Sequence, residues 1–303
     1  MIDFIVWVLT NIALAPYHLF LAIINPQAWL NWGDPEALVR FIYYGGSIEF
    51  FFVMLTLFLV ITALGIFWKR EFLWGWVRGL EWFANTVGRA AAWVGLLMVL
   101  QQVMIVFLQR IFRVAEIQLG PLGTAFSQDL SWWSEELKLY NAMIVCLCCT
   151  YTFVQGGHVR VDLIYSAVSH RTKKIIDMAG CLLFMIPATL ITYLYAWFFM
   201  WRHLVVPNPS ATTPLDRMLM QARVLRWNVE TIGFSPNGFN AYFLFKVLLV
   251  AFCVMVLIHG MAFFWRSYLE YVEGEESAGK YLDKDVMGDE AEEFAHEAHS
   301  GST

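Results

Sequence analysis

The chain has 303 residues, of which 59% are hydrophobic, 17% aromatic and 15% charged. Soluble domains average roughly 45–50% apolar and 25% charged residues, so an ordinary aqueous fold is excluded. The net charge of −5 is uneven: residues 267–303 carry 11 acids and 2 Lys, whereas residues 1–266 carry 14 acids and 18 Lys plus Arg. The acidity belongs to a C-terminal tail, and no basic stripe suggests nucleic acid.

A helix of about 20 apolar residues crosses a hydrocarbon core of about 30 Å, and six segments of that kind follow one another. The first is residues 4–24, with Pro16 predicting a kink and Pro26 an exit. Asp3 stands where a signal peptide has its basic n-region, and no small-residue cleavage site stands out, so this reads as a retained helix. A short polar link with Asp34, Glu36 and Arg40 leads to the second span, residues 50–68, closed by Lys69 and Arg70. Residues 69–85 interleave Trp74, Trp76 and Trp82 with Arg78 and Glu81, the pattern of an amphipathic segment lying in the headgroup layer.

The third span, residues 90–109, holds Gln101 and Gln102 near its middle, both expected to face other helices, and runs into Arg110 and Arg113. The fourth, residues 139–157, is the most sharply bounded. Glu135, Glu136 and Lys138 precede it, and the run Gly156-Gly157-His158-Val159-Arg160-Val161-Asp162 ends it. The glycines suit a helix C-cap. His158 and Arg160 then sit at the negative end of the helix dipole, and the two glutamates at its positive end. Asp162 is placed to pair with Arg160, Lys173 or Lys174, and Glu135 and Glu136 with Arg110 or Arg113. The run from 156 to 162 reads either as a helix cap or as a docking surface for another subunit.

The fifth span, residues 178–201, is expected to kink near Pro187. The long connection 202–238 holds a short amphipathic helix at 216–224 and a turn at Ser235-Pro236-Asn237-Gly238. The sixth span lies within 241–265, and residues 267–303 are expected to be a disordered tail. The five cysteines all fall inside apolar segments, without zinc or redox spacing, and read as small buried residues.

The fold class is therefore all-α: a polytopic integral membrane protein with six transmembrane helices and an interfacial helix. Six spans put both termini on one side. Basic residues near span ends favour the cytoplasm by a narrow margin. No span holds a central Asp or Glu, which argues against a proton or ion path within this chain alone. His18 and His259, in the first and last spans, offer one competing reading: a haem-binding membrane anchor subunit of a respiratory enzyme. A stand-alone structural protein of the membrane is a third.

Four ordered pieces resemble the small membrane subunit, DctQ-like, of the tripartite ATP-independent periplasmic (TRAP) transporters. Arg110-Ile111-Phe112 resembles the Arg-aromatic ending of that family's first helix, and Trp133-Ser134-Glu135-Glu136-Leu137 its tryptophan and glutamate signature. The run from Gly156 to Asp162, with Leu163, is similar to its glycine, histidine and aspartate signature, and Ser235-Pro236-Asn237-Gly238-Phe239 to its lead-in to the last helix.

The resemblance implies a four-helix core at 86–266, preceded by two extra N-terminal helices at 1–68 and the interfacial segment at 69–85, and followed by the tail. It implies no enzyme, cofactor or metal, but an auxiliary scaffold in a bacterial inner membrane, with both termini cytoplasmic. That scaffold would brace a large permease subunit and help dock a periplasmic substrate-binding protein. The whole complex would import an organic acid, a carboxylate, on a cation gradient. Arg110, Trp133, Glu135, Glu136, Gly156, Gly157, His158, Arg160 and Asp162 are then interface and assembly residues, and lipids and the two other subunits are the partners.

Overall fold

The computed structural model describes residues 2–119, 126–155, 168–210, 212–233 and 235–283. Six helical rods among them are long and apolar enough to cross a membrane: Ile2–Ile24, Ile48–Phe67, Arg70–Phe112, Leu130–Val154, His170–Leu204 and Phe243–Glu273. All six expected spans are present in order, and the protein is an all-α polytopic membrane protein.

Helix α1 (Ile2–Ile24) packs on α4 (Ile48–Phe67). Ala15 meets Phe52 and Val53 in a small core, and Trp7 makes an edge contact with Phe52 at 5.3 Å between ring centroids. The link between them is more than a polar connection. A short turn of helix, α2 (Gln27–Leu30), precedes α3 (Pro35–Gly45), where Pro35 opens the first turn and the Asp34 carboxylate accepts from Glu36 N at 3.2 Å. The apolar face of α3, Leu38, Val39 and Ile42, is buried, which is why this segment is helical and not a loop. Ser47 then caps α4 by accepting from Phe50 N at 3.1 Å.

The largest departure from expectation is α5 (Arg70–Phe107), which continues as a π-helical turn, Leu108–Phe112. The interfacial segment 69–85 and the third span are one rod. Leu73, Trp74, Val77, Glu81, Ala84, Asn85 and Gly88 recur at helical spacing and are buried along its N-terminal half. The rod ends at Arg113, whose φ of 51° is left-handed.

Strands β1 (Glu116–Leu119) and β2 (Phe126–Asp129) form an antiparallel hairpin with Glu116 opposite Asp129. It feeds α6 (Leu130–Val154), capped where Asp129 accepts from Ser131 N at 2.7 Å. That backbone N–H, with the Ser131 hydroxyl, holds the Asp129 carboxyl below the usual range. Helices α5 and α6 lie against each other along their length. Gly88 makes this possible, because a Cβ there would sit 2.2 Å from Tyr151 Cβ.

Helix α7 (His170–Gly180), a π turn at Cys181–Met185 and α8 (Ile186–Leu204) form the fifth rod. The π turn directly precedes Pro187, where a proline would otherwise clash with the preceding turn and leave a carbonyl unpaired. Short strands β3 (Val205–Val206) and β4 (Arg226–Trp227) pair around α9 (Leu215–Gln221), the expected amphipathic helix. Finally α10 (Phe243–Glu273) crosses the bundle and contacts α5, α6, α7 and α8.

The tail does not begin at 267. Ser267, Leu269 and Glu270 are buried within α10, and residues 274–283 turn back onto the bundle. The residues that read as acidic tail include Tyr268, Leu269, Tyr271 and Val272, and these continue the apolar stripe of the helix. The rest of the expected tail lies outside the described residues.

Two cores mark the ends of the bundle. At the loop end, α3 packs on Tyr193, Ala196, Met200 and Trp201 of α8 and on Val250 and Cys253 of α10. At the tail end, Ile61 of α4, Leu73, Trp74 and Val77 of α5, and Trp265 and Leu269 of α10 meet.

Candidate functional site

The two glutamates before the fourth span lie in the first turns of α6, where the helix dipole favours acids. Neither reaches Arg110 or Arg113. Glu135 Oε2 accepts from the backbone N–H of Phe239 at 3.0 Å. Glu136 Oε2 accepts from Gln101 Nε2 at 3.1 Å, and its Oε1 from the Tyr140 hydroxyl at 3.3 Å. Gln101 also donates to Trp133 O at 3.1 Å.

The expected ion pair is thus replaced by neutral donors. The π turn ends α5 with Arg110 exposed, and Gln101, deeper in the helix, joins α5 to α6 instead. Gln102 is exposed on the surface of the described bundle. Trp132, beside Trp133, makes an edge contact with Phe239 at 5.3 Å.

The turn at 235–238 is present, with Gly238 N donating to Ser235 O at 3.1 Å. Gly238 is required there: a Cβ would stand 1.8 Å from Glu135 Oε2 and 2.4 Å from Ser235 Oγ. So the two predicted pieces, 133–137 and 235–239, come together at the loop end through one carboxylate. Beside them opens a polar cleft of about 800 Å³ lined by Glu116, Asp129, Trp132, Ser235, Asn237 and Asn240.

Gly156, Gly157, His158, Arg160 and Asp162 lie outside the described residues. The residues on either side of them are described. Gln155 Nε2 donates to Asp283 O at 3.1 Å. Lys174 Nζ, a candidate partner for Asp162, is 2.5 Å from Glu270 Oε2 and 3.9 Å from Asp177.

This end of the bundle holds a buried charge network that spacing alone did not reveal. Arg266 donates from Nε to Glu81 Oε1 at 2.6 Å and from Nη2 to Oε2 at 2.5 Å, a bidentate pair. Its Nη1 donates to Lys280 O at 2.9 Å and lies 3.5 Å from Glu270 Oε1, and the guanidinium stands over the Trp74 ring at 5.4 Å. Glu81 is 4% exposed and Arg266 7%. Gly279 N donates to Glu270 Oε1 at 3.2 Å. A second cluster ties Asp283 to Asn85 Nδ2 at 3.0 Å and Arg89 Nη2 at 3.1 Å. The Asn85 amide and the Arg89 guanidinium hold the Asp283 carboxyl below its usual range.

One signal for the network was present in the chain: Glu81 shares a helical face with Trp74, Val77 and Ala84, and Arg266 with Ala262 and Leu269. An acid and a base each set on an apolar stripe is the mark of a buried pair.

Among the described residues, no group of three or more His, Cys, Asp or Glu is placed to hold a metal ion. His259 stacks between Phe153 at 5.3 Å and Phe263 at 6.2 Å, while His18 is on α1, which packs on α4. Both polar clusters link different rods, one at each end of the bundle.

A bundle of six long apolar rods, joined to one another by internal polar bonds, defines a polytopic helical membrane protein. Residues 122–225 match the sequence profile of the family described as tripartite ATP-independent periplasmic transporters, DctQ component. The match spans 104 of the 303 residues and makes this segment similar to the small subunit of a TRAP transporter, a family of transporter components whose members work with a large membrane subunit and a substrate-binding protein. Two of the four resemblance pieces, 133–137 and 156–163, fall inside the matched segment, and Arg110 and the 235–239 turn flank it. No curated protein and no solved structure matches the chain.

Proposed function

We propose that this chain is the auxiliary scaffold subunit of a cation-gradient-driven TRAP transporter that imports an organic acid, a carboxylate, across a bacterial inner membrane. It braces the large permease subunit and helps dock the periplasmic binding protein. The tail end, with both termini, is cytoplasmic, and the loop end is periplasmic.

One observation carries the reading: the DctQ segment is set in a bundle whose two buried carboxylates among the described residues, Glu81 and Glu270, pair with Arg266 and Lys174. Uncharged runs at 50–68, 90–109, 139–157, 178–201 and 247–265 cover the middle of five rods. Intramembrane carboxylates ordinarily mark an ion path, so ion and substrate binding fall to the large subunit. The four-helix core is 86–266, and the two N-terminal helices add membrane area beside it.

Arg110 is exposed at the loop end and has no ion pair among the described residues, which leaves its charge for another subunit. Trp133, Glu135 and Glu136 serve the interface by fixing the hairpin and turn beside the polar cleft. Gly156, Gly157, His158, Arg160 and Asp162 form the cytoplasmic contact.

Purification in mild detergent should recover a much larger hydrophobic membrane protein with this chain, and uptake of an organic acid should require both. Arg110→Ala should reduce recovery of that partner more than it changes ion affinity of the assembled complex. Recovery of the chain alone, with uptake unchanged on its deletion, would sink the reading.

A further inference from the structure

Between α1, α2, α3 and the start of α4 lies a cavity of about 750 Å³ that none of the assembly features uses. Its walls carry Arg40 and Glu49, with His18 beside them. Arg40 has no ion pair among the described residues, to Glu49 or to any other acid. Glu49 lines the same cavity, and its Oε2 is buried with no hydrogen-bond donor among the described residues. A buried carboxylate oxygen is costly to leave without a donor, so Glu49 is open to a donor from a ligand, and exposed Arg40 is open to an anion beside it.

The rest of the lining is amphipathic in a defined sense. Leu21 and Ile24 come from the last turn of the first span, and Trp29 and Tyr44 from the segment just beyond it. Trp29 is held rigid by donating from Nε1 to Ala22 O at 2.8 Å and by ring contact with Tyr44 at 6.1 Å. Two spans, α1 and α4, end and begin here, so the cavity stands where hydrocarbon gives way to headgroups, among the aromatic residues typical of that level.

We infer that this cavity binds the headgroup of an aminophospholipid, with the phosphate on Arg40, the primary ammonium on Glu49 and the acyl chains along Leu21 and Ile24. The charges choose among lipids. An anionic headgroup without an amine satisfies Arg40 but meets repulsion from Glu49. A choline headgroup has the right charges but no N–H, and so cannot donate to the carboxylate. A primary ammonium has three donors. Leu21 and Ile24 suit the first methylenes of an acyl chain, the remainder lying along the exposed face of α1, where Phe20 and Ile23 point outward. The site does not depend on which subunit accompanies the chain.

The test uses the full-length protein, purified with whatever subunit accompanies it and stripped of lipid. Phosphatidylethanolamine, phosphatidylcholine and phosphatidylglycerol of equal chain length are titrated and bound lipid is counted by native mass spectrometry. Phosphatidylethanolamine should bind about tenfold more tightly than the other two, the value of one charge-assisted hydrogen bond. Glu49→Gln should erase that preference, and Arg40→Gln should weaken all three lipids by about tenfold. Equal binding of the three lipids to the parent protein overturns the proposal whether or not the variants fold. So does a preference that survives Glu49→Gln. Displacement by sn-glycero-3-phosphoethanolamine at the lipid's own concentration also overturns it, since the site would then be one for a small soluble zwitterion.

Discussion

At the level of single residues, two carboxylates decide how the ends of the bundle are held. Glu135 fixes the lead-in to α10 by accepting from Phe239 N at 3.0 Å, and it can do so only because position 238 has no side chain. Gly238→Ala should therefore push the carboxylate away and lose that bond. Hydrogen bonds to charged groups contribute about 1.5–3 kcal/mol; the unfolding midpoint in detergent should fall accordingly, and Glu135→Gln should fall less, since its amide oxygen still accepts. Glu81 acts at the other end. Its pair with Arg266 is buried on both sides. Removing one partner of a buried pair costs roughly 3–5 kcal/mol, whereas replacing both by apolar residues is often close to neutral. Glu81→Leu should thus destabilise more than the double variant Glu81→Leu, Arg266→Met, and a midpoint for the double variant below that of Glu81→Leu would show the pair is not what holds the two helices.

At the level of elements, the rods were legible because lipid imposes one rule on all of them: about 20 apolar residues without a charge. What was not legible is where a rod continues past its apolar run. Arg78 and Glu81 among tryptophans read as a headgroup segment, yet they belong to the first turns of α5, because Glu81 finds its counter-charge on Arg266, 185 residues away. Residues 267–273 read as tail for the same reason, although they complete α10. A charge looks like a boundary when its partner is distant in sequence and invisible to spacing. Close packing of helices is equally hidden. Gly88 looks like any glycine in an apolar run, but it lets α6 approach until Tyr151 Cβ is 2.2 Å from where a side chain would begin. Cys148 Sγ donates to Gly88 O at 3.4 Å across the same contact. Gly88→Val should force α5 and α6 apart and cost about 1–3 kcal/mol, the usual range for overpacking. A cysteine pair engineered across the α5–α6 seam, which crosslinks in the parent, should crosslink more slowly in this variant.

For the molecule as a whole, the loop end joins pieces that the sequence pattern pointed to, while the tail end is closed by a segment that composition assigned to disorder. Residues 274–283 return over α5, α6 and α10: Lys280 O accepts from Arg266, Gly279 N donates to Glu270, Tyr281 meets the Trp74 ring at 5.7 Å, and Asp283 receives Asn85 and Arg89. Each bond is local and modest, but together they cover the buried charges that fasten three rods. Asp283 gives the strap a pH dependence whose sign is fixed. Its carboxyl is held below its usual range by Asn85 first and Arg89 second, so its contribution is complete above the ordinary aspartate range and is lost as the pH falls through that range toward the lower folded value. Asp283→Asn should therefore destabilise the protein at neutral pH, by roughly 1 kcal/mol or less for so exposed a pair. The gap from the parent should close below about pH 4. Removal of residues 274–303 should cost more than this substitution at every pH, because it also uncovers Arg266 and Glu270, whose bonds to Lys280 O and Gly279 N do not titrate with Asp283. Unfolding midpoints of the two variants across that range separate the parts of the strap, and a truncation no worse than Asp283→Asn would reduce the closure of the tail end to that one carboxylate.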